Sequence, residues 1–287
     1  MLNEYSHLRY VGVRHPRELF RDKDYVARHW GAHEFGQEPD FSRSIAQYET
    51  FLEHLTDAGA RLETVPAHPE HSMAALYARD SSLLAPGGVV PARMFRDYRA
   101  PEPVVDATFY RERGYTVLDG IAAPGKIEGG DMVWFDATRC AVGRGYRTNA
   151  AGIQQFQQRV GRDVHIEVAE MPYYRGPGYC LHLMSVLSPV DTDLAVVYSP
   201  PMPVVFRNWL QETMGLDLVE VPDDEFDKQG ANVLAVAPRK VLIADAATTT
   251  IKRLEAKGCE VIPFPADDLC IKGVGGPTCL TRPLVRG

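Results

Sequence analysis

Five times along the chain, a run with helical periodicity ends at a glycine, and an apolar strand-like run follows within a few residues. The junctions read AGARLETV at Gly59, RGYTVLDG at Gly114, VGRDVHIEV at Gly161, MGLDLVEV at Gly215 and KGCEVIPF at Gly258. Glycine suits the left-handed residue just past a helix, where a side chain would clash. Ile45, Tyr48, Phe51, Leu52 and Leu55 share one helical face behind a candidate Asp40 cap. Ile153, Phe156 and Val160 do the same behind Thr148 and Asn149, as do Phe206, Trp209, Leu210 and Thr213.

Ahead of these helices lie extended apolar runs: LRYVGV, SSLLA with GVVPA, DMVWF with RCAVG, LAVVYS, and NVLAVA with KVLIA. The last pair predicts a hairpin turning near Pro238 and Arg239. The pattern therefore predicts an α/β chain of five β-β-α-β units, each of about 45 to 55 residues. Such units bury their apolar strand faces by stacking around a common centre with the helices outside. No Ser/Gly linker or charged run divides the chain, so residues 1–287 read as a single domain. Residues 14–39 lack clear periodicity and carry Trp30, His33 and Phe35. They read either as a lid over a site or as an ordinary surface loop.

Apolar residues make up 45% of the 287 and charged residues 24%, as in a soluble globular protein. A formal net charge of -7 offers no basic field for nucleic acid or an anionic membrane, and it suits a small cationic partner. The N-terminus has no apolar run behind a basic start, so no secretory signal is expected, and no stretch approaches a membrane span. Five cysteines without CxxC pairs (Cys140, Cys180, Cys259, Cys270, Cys279) point to reduced thiols in a cytoplasm, most of them small buried hydrophobes. A homo-oligomer is compatible with all of this.

Cys279 differs in its surroundings. It follows three glycines and a proline in KGVGGPTCLTRPLVRG, a context that presents a thiol and lets backbone approach a ligand. Of nine histidines, His182 stands out in GYCLHLMSVLS, where a polar ring among leucines needs a partner such as a thiolate. Glu128 and Asp131 flank a diglycine in KIEGGDMVWF, and Asp80 leads into a strand in LYARDSSLLA. Acids at strand ends sit where α/β sheets carry their sites, although single turn acids are common. Arg147 in VGRGYRTNA and Arg93 in VPARMF could each hold a substrate carboxylate or sit on the surface. HExxH, GxGxxG, GxxxxGK[ST] and GxSxG are all missing, so the motifs give a metal or nucleotide mechanism no support.

Taken in order, IEGGDMVWF, CAVGRGYRTNAAGI, LHLMS and the terminal GGPTCLTRPLV resemble the arginine deiminase and dimethylarginine dimethylaminohydrolase family, with amidinotransferases as more distant relatives. The resemblance runs from about residue 76 to the C-terminus. It implies the five-bladed α/β propeller called pentein, with pseudo-fivefold symmetry. It also implies Cys279 as nucleophile, His182 as general acid/base, Glu128 and Asp80 as guanidinium holders, and Arg147 and Arg93 as a grip on a substrate carboxylate. A soft thiolate suits attack on a delocalised guanidinium carbon, and two carboxylates fix a planar cation. No metal or organic cofactor is then required.

Arginine deiminases continue the histidine motif as His-Leu-Asp. Here Met184 takes the place of that acid, which resembles the dimethylarginine hydrolases and implies an N-substituted guanidine. Ala74 stands where relatives carry a polar residue for the α-amino group. A hydrolase releasing ammonia or an amine and a ureido product is the resulting expectation. An amidinotransferase with the same residues is the first alternative, and a non-catalytic binding protein of this fold is the second.

Overall fold

The structure, a computed structural model, describes residues 1–176, 178–179 and 181–287. Cys180, counted among the expected structural thiols, lies outside the described residues.

The first unit holds β1 (Leu8–Val13), two short helices α1 (Pro16–Phe20) and α2 (Lys23–His29), the long α3 (Phe41–Asp57) and β2 (Arg61–Thr64). Asp40 caps α3 by accepting the Arg43 N–H, and Tyr48, Phe51 and Leu55 on its inner face are fully buried. Each such side chain contributes roughly 1.5–3 kcal/mol relative to exposure. The second unit holds β3 (Ser82–Ala85), β4 (Gly88–Pro91) and α4 (Glu102–Glu112). The third holds β5 (Met132–Trp134), β6 (Arg139–Arg144), α5 (Ala150–Val160) and β7 (His165–Glu170). The fourth holds β8 (Leu187–Pro189), β9 (Leu194–Val197), α6 (Val204–Asn208) and β10 (Asp217–Glu220). The fifth holds α7 (Asp223–Phe226), β11 (Leu234–Ala237), β12 (Lys240–Ala244), α8 (Thr248–Ala256) and β13 (Glu260–Phe264), and β14 (Arg282–Arg286) ends the chain.

The strands form five separate small sheets with one repeated topology. In the third, fourth and fifth units the first two strands pair antiparallel, and the strand after the helix pairs parallel to the second. The first unit follows the same plan with its antiparallel strand borrowed from the far end of the chain, because β14 pairs with β1 and β1 with β2. Gly59, Gly114, Gly161, Gly215 and Gly258 all adopt φ between +69° and +87°, as the junction pattern requires.

The second unit departs from the expected pattern. The run after Gly114 forms only a bridge, Val89 to Val117, with Val89 N–H on Thr116 O and Leu118 N–H on Val89 O. The next rung would need an N–H at residue 91, which is proline, so the ladder stops there.

Residues 14–39 are not a detached loop. Arg14 is buried against Glu102 and Asp106, and Phe35 is buried against Phe20 and Tyr77. Among the described residues no helix is long and apolar enough to cross a membrane. Cys140, Cys259 and Cys270 are buried free thiols.

Candidate active site

Each unit's chain turns just before its first strand, and a chemistry-bearing residue sits at each turn. Asp80 precedes β3, Glu128 precedes β5, His182 precedes β8, Asn232 precedes β11 and Cys279 precedes β14, each by two to five residues. Asp80, His182, Asn232 and Cys279 line one cavity of about 280 Å³, with Glu128 directly behind His182.

His182 Nε2 lies 2.8 Å from Glu128 Oε2, and Nδ1 lies 3.6 Å from Asp80 Oδ1. Both ring nitrogens thus face carboxylates, which favours the doubly protonated ring. Burial pulls the imidazole pKa down, but Asp80, Asp131 and the bond to Glu128 outweigh it and hold the group above its usual 6.5. Glu128 is wholly buried, with Oε1 accepting the Phe95 N–H at 2.7 Å. Burial alone would raise its pKa, yet the Arg147 charge and the bond to His182 bring it down to about 2.

The diglycine between Glu128 and Asp131 has a steric cause. A Cβ on Gly130 would run into the His182 ring and come 2.7 Å from Asp80 Oδ1, and one on Gly129 would strike the carbonyls of Arg79 and Ser82. Only glycine lets these two acid and base groups approach across that segment.

Asp80 is held from behind. Arg99 Nη1 donates to Asp80 Oδ2 at 2.6 Å, while its Nε and Nη2 grip Glu102 at 2.8 and 2.9 Å. Glu102 in turn faces Arg14, which also pairs with Asp106. This buried alternation of charges runs from the cavity into the face of α4. Among the described residues, Asp80 Oδ1 has no hydrogen-bond partner beside the cavity.

Arg147 reaches into the same place. Its Nη1 stands 3.3 Å from Glu128 Oε2, 3.3 Å from His182 Nε2 and 4.0 Å from Asp80 Oδ2. Asp80, Glu128 and His182 would also be a plausible donor set for a metal ion. In this structure the Arg147 guanidinium nitrogen sits among all three.

Cys279 is half-buried and lines the same cavity. Its N–H bonds Gly276 O at 3.0 Å and its carbonyl accepts the Arg79 N–H at 3.1 Å. Burial pushes the thiol pKa above its usual value and the Asp80 charge adds to this, against hydrogen bonds from Asn232 and Gly276.

Four expectations for the site change. Arg93 is off the cavity: its backbone bridges Ile127 and its Nη1 donates to Gly125 O at 3.2 Å. Arg99, not among the residues expected from the sequence, lines the wall with its guanidinium on Asp80, Glu102 and the Tyr77 carbonyl, and the sequence signal for it was the Arg99–Glu102 spacing of a helix start. Asp131 is buried off the wall as well, accepting the Leu183 N–H at 3.0 Å and the Thr148 hydroxyl at 2.6 Å. Its pKa is pushed up to about 6 by burial. Glu128 backs His182 and does not itself line the cavity.

Met184 does not line the cavity either. His182 is followed by a 3-10 turn, Leu183–Ser185, in which residues three apart share a face. Ser185 therefore joins His182 on the wall, and Met184 packs into the core with Val133 and Leu187. Ala74 does line the cavity. His33, Glu34 and Gly36, at the end of the 14–39 stretch, form another part of its wall.

The chain belongs to the arginine deiminase family, whose model matches residues 69–207 and 199–286. It is 26% identical over 244 residues to the arginine deiminase of Mycobacterium avium, covering 74% of this chain and 60% of that protein. The chain thus spans about three-fifths of the length of the curated arginine deiminases it matches. Its fold is similar to the N-terminal domain of ArgZ, an arginine dihydrolase from Cyanobacteria solved with bound product, with TM-score 0.80 at 18% identity and 96% and 97% of the two chains covered. It is also similar to a dimethylarginine dimethylaminohydrolase from Pseudomonas aeruginosa solved with citrulline, with TM-score 0.76 at 18% identity and 96% and 98% covered. These structures belong to the pentein superfamily, and the α/β fold here matches theirs.

Proposed function

We propose that the protein hydrolyses a guanidino compound, arginine or an N-substituted arginine derivative, through a covalent intermediate on Cys279. The observation that carries this reading is the meeting of Cys279, His182 and Asp80, far apart in sequence, on one cavity with a guanidinium already among the acids. We read residues 1–287 as one catalytic domain and the five sheets as the blades of a five-bladed propeller, with the site at the turns that lead into the blades.

Asp80 Oδ1, with Glu128 behind the ring, orients the substrate cation. The Cys279 thiolate attacks the central guanidinium carbon and a C–S bond forms. His182 gives a proton to the departing nitrogen, the C–N bond breaks, and ammonia or an amine leaves an S-linked thiouronium. Water then adds to that carbon and gives a proton to His182. The C–S bond breaks, Cys279 recovers the bonding electrons, the hydroxyl proton on that carbon passes to solvent, and a ureido product such as citrulline departs. Proton transfer of this kind is worth about 100- to 10,000-fold.

The cavity also shapes the rest of the substrate. Tyr77, Tyr98, Tyr179 and Phe226 give it an aromatic wall, and the Ala74 methyl offers no hydrogen bond to an α-ammonium group. With Met184 in the core, an N-substituent gains no room from that residue, and plain arginine stands on equal terms with its N-substituted forms.

A panel of arginine, methylated arginines, agmatine, guanidino acids and N-acylated arginines, with detection of ureido and amine products, tests the proposal. One compound should turn over with wild type and not with Cys279→Ala. Turnover only after an amine acceptor is added would make the protein an amidinotransferase. An inert panel, together with undiminished cellular function of Cys279→Ser, would make it a binding protein.

A further inference from the structure

We propose that Asn232 is the fifth member of the site, donating from its side-chain amide to the Cys279 sulfur and stabilising the thiolate. This rests on the reading of Cys279 as nucleophile, and three observations carry it beyond that reading.

The first is position. Four units supply Asp80, Glu128, His182 and Cys279 from the turn ahead of their first strand, and Asn232 holds the corresponding turn of the remaining unit. The second is the direction of the amide. Asn232 Oδ1 accepts both the Thr278 N–H at 2.9 Å and the Thr278 hydroxyl at 2.8 Å. With two donors fixing the oxygen, the NH₂ must turn the other way, where Nδ2 lies 3.3 Å from Cys279 Sγ. The third is the fit. Asn232 is 2% exposed, and a Cβ on Gly276 would come 2.5 Å from its amide carbon and oxygen. The glycine ahead of the nucleophile leaves the room that the amide occupies.

The electrostatic setting gives the donor its purpose. The Asp80 charge opposes ionisation of the sulfur, Tyr77 and Cys270 lie nearby as neutral acids, and the Arg79 charge favours ionisation. His182 shares the cavity but is engaged with Glu128. An N–H···S⁻ bond from a neutral, buried amide is available before any substrate arrives. A charge-assisted bond of this kind is worth about one to two pH units in a thiol pKa.

The test follows alkylation of Cys279 by iodoacetamide against pH, read by mass spectrometry of the peptide that carries it, on wild type, Asn232→Ala, Asn232→Asp and Thr278→Val. The midpoint should rise by about one pH unit or more in Asn232→Ala, a roughly tenfold smaller thiolate fraction below both midpoints. It should rise further in Asn232→Asp, where a carboxylate faces the sulfur, and in the same direction but less in Thr278→Val, which loosens the amide. Asn232 serving only to pack the turn would let water reach the sulfur on truncation. The midpoint would then stay put or fall towards about 8.5, and that result overturns the proposal. Should the Asn232 variants fail to fold, an unmoved midpoint in folded Thr278→Val overturns it equally. The readout needs no guanidino substrate, so it stands apart from failure of the hydrolase reading.

Discussion

Glu128 Oε2 lies 2.8 Å from His182 Nε2, with the carboxylate wholly buried and the imidazole nearly so. Against burial, the Asp80 charge, then Asp131 and this bond to Glu128, make the ring a stronger base than a free histidine, so it keeps its proton to higher pH. Glu128→Gln retains the shape and removes the charge. The His182 midpoint, followed by NMR of the ring nitrogens, should drop by about one unit or more. Turnover should fall about 100-fold or more as the ring loses its proton at working pH.

Arg99 is the partner of two buried acids, Asp80 and Glu102. Its removal leaves both without their principal cation, which costs about 3–5 kcal/mol for a buried pair. Urea unfolding of Arg99→Ala should show a loss of that size. Arg99→Lys should recover only part of it, because an ammonium cannot grip Asp80 and Glu102 with the same fork. Wild-type stability in Arg99→Ala would contradict the charge alternation described above.

Gly130 lets His182 and Asp80 meet. Gly130→Ala should fold only with the His182 and Asp80 side chains pushed aside by the new Cβ, and turnover should fall about 100-fold or more as the two groups separate. Comparison of kcat with the thermal unfolding midpoint checks this. Equal loss in both would mean that the glycine matters only to the fold.

Glu128 and Asp131 give opposite slopes of stability with pH. Glu128 titrates at about 2 in the fold against 4.5 free, so its contribution is present above about pH 4.5 and is lost as pH falls towards 2. Asp131 titrates at about 6 against 3.8, so the fold loses stability as pH rises from about 4 to 6. Asp131→Asn should flatten the second slope and Glu128→Gln the first. Denaturant midpoints measured between pH 3 and 8 separate the two.

The repeat was legible because its signals are local. A helix end needs a left-handed residue, and periodicity decides which helix face is buried, so Gly59, Asp40 and Tyr48 declare themselves within a few residues. Cys279, His182, Glu128 and Asp80 were legible for a different reason: they carry family motifs. Arg99 was missed because an arginine near a helix start reads as an exposed cap, and only its buried partners give it meaning. Asn232 was missed because one asparagine ahead of an apolar strand is an ordinary turn residue.

The sequence by itself determined the five-unit rhythm, the glycines that end one helix in each unit and the residue types available for attack on a guanidinium. Tertiary structure alone decided that β14 completes the first sheet, that Met184 faces the core while Ser185 faces the cavity, that Arg99 stands behind Asp80, and that Arg93 lies off the cavity. Those outcomes turn on contacts between chain segments up to the whole length apart, and on which side of a single turn a residue faces. Local propensity carries no information about either.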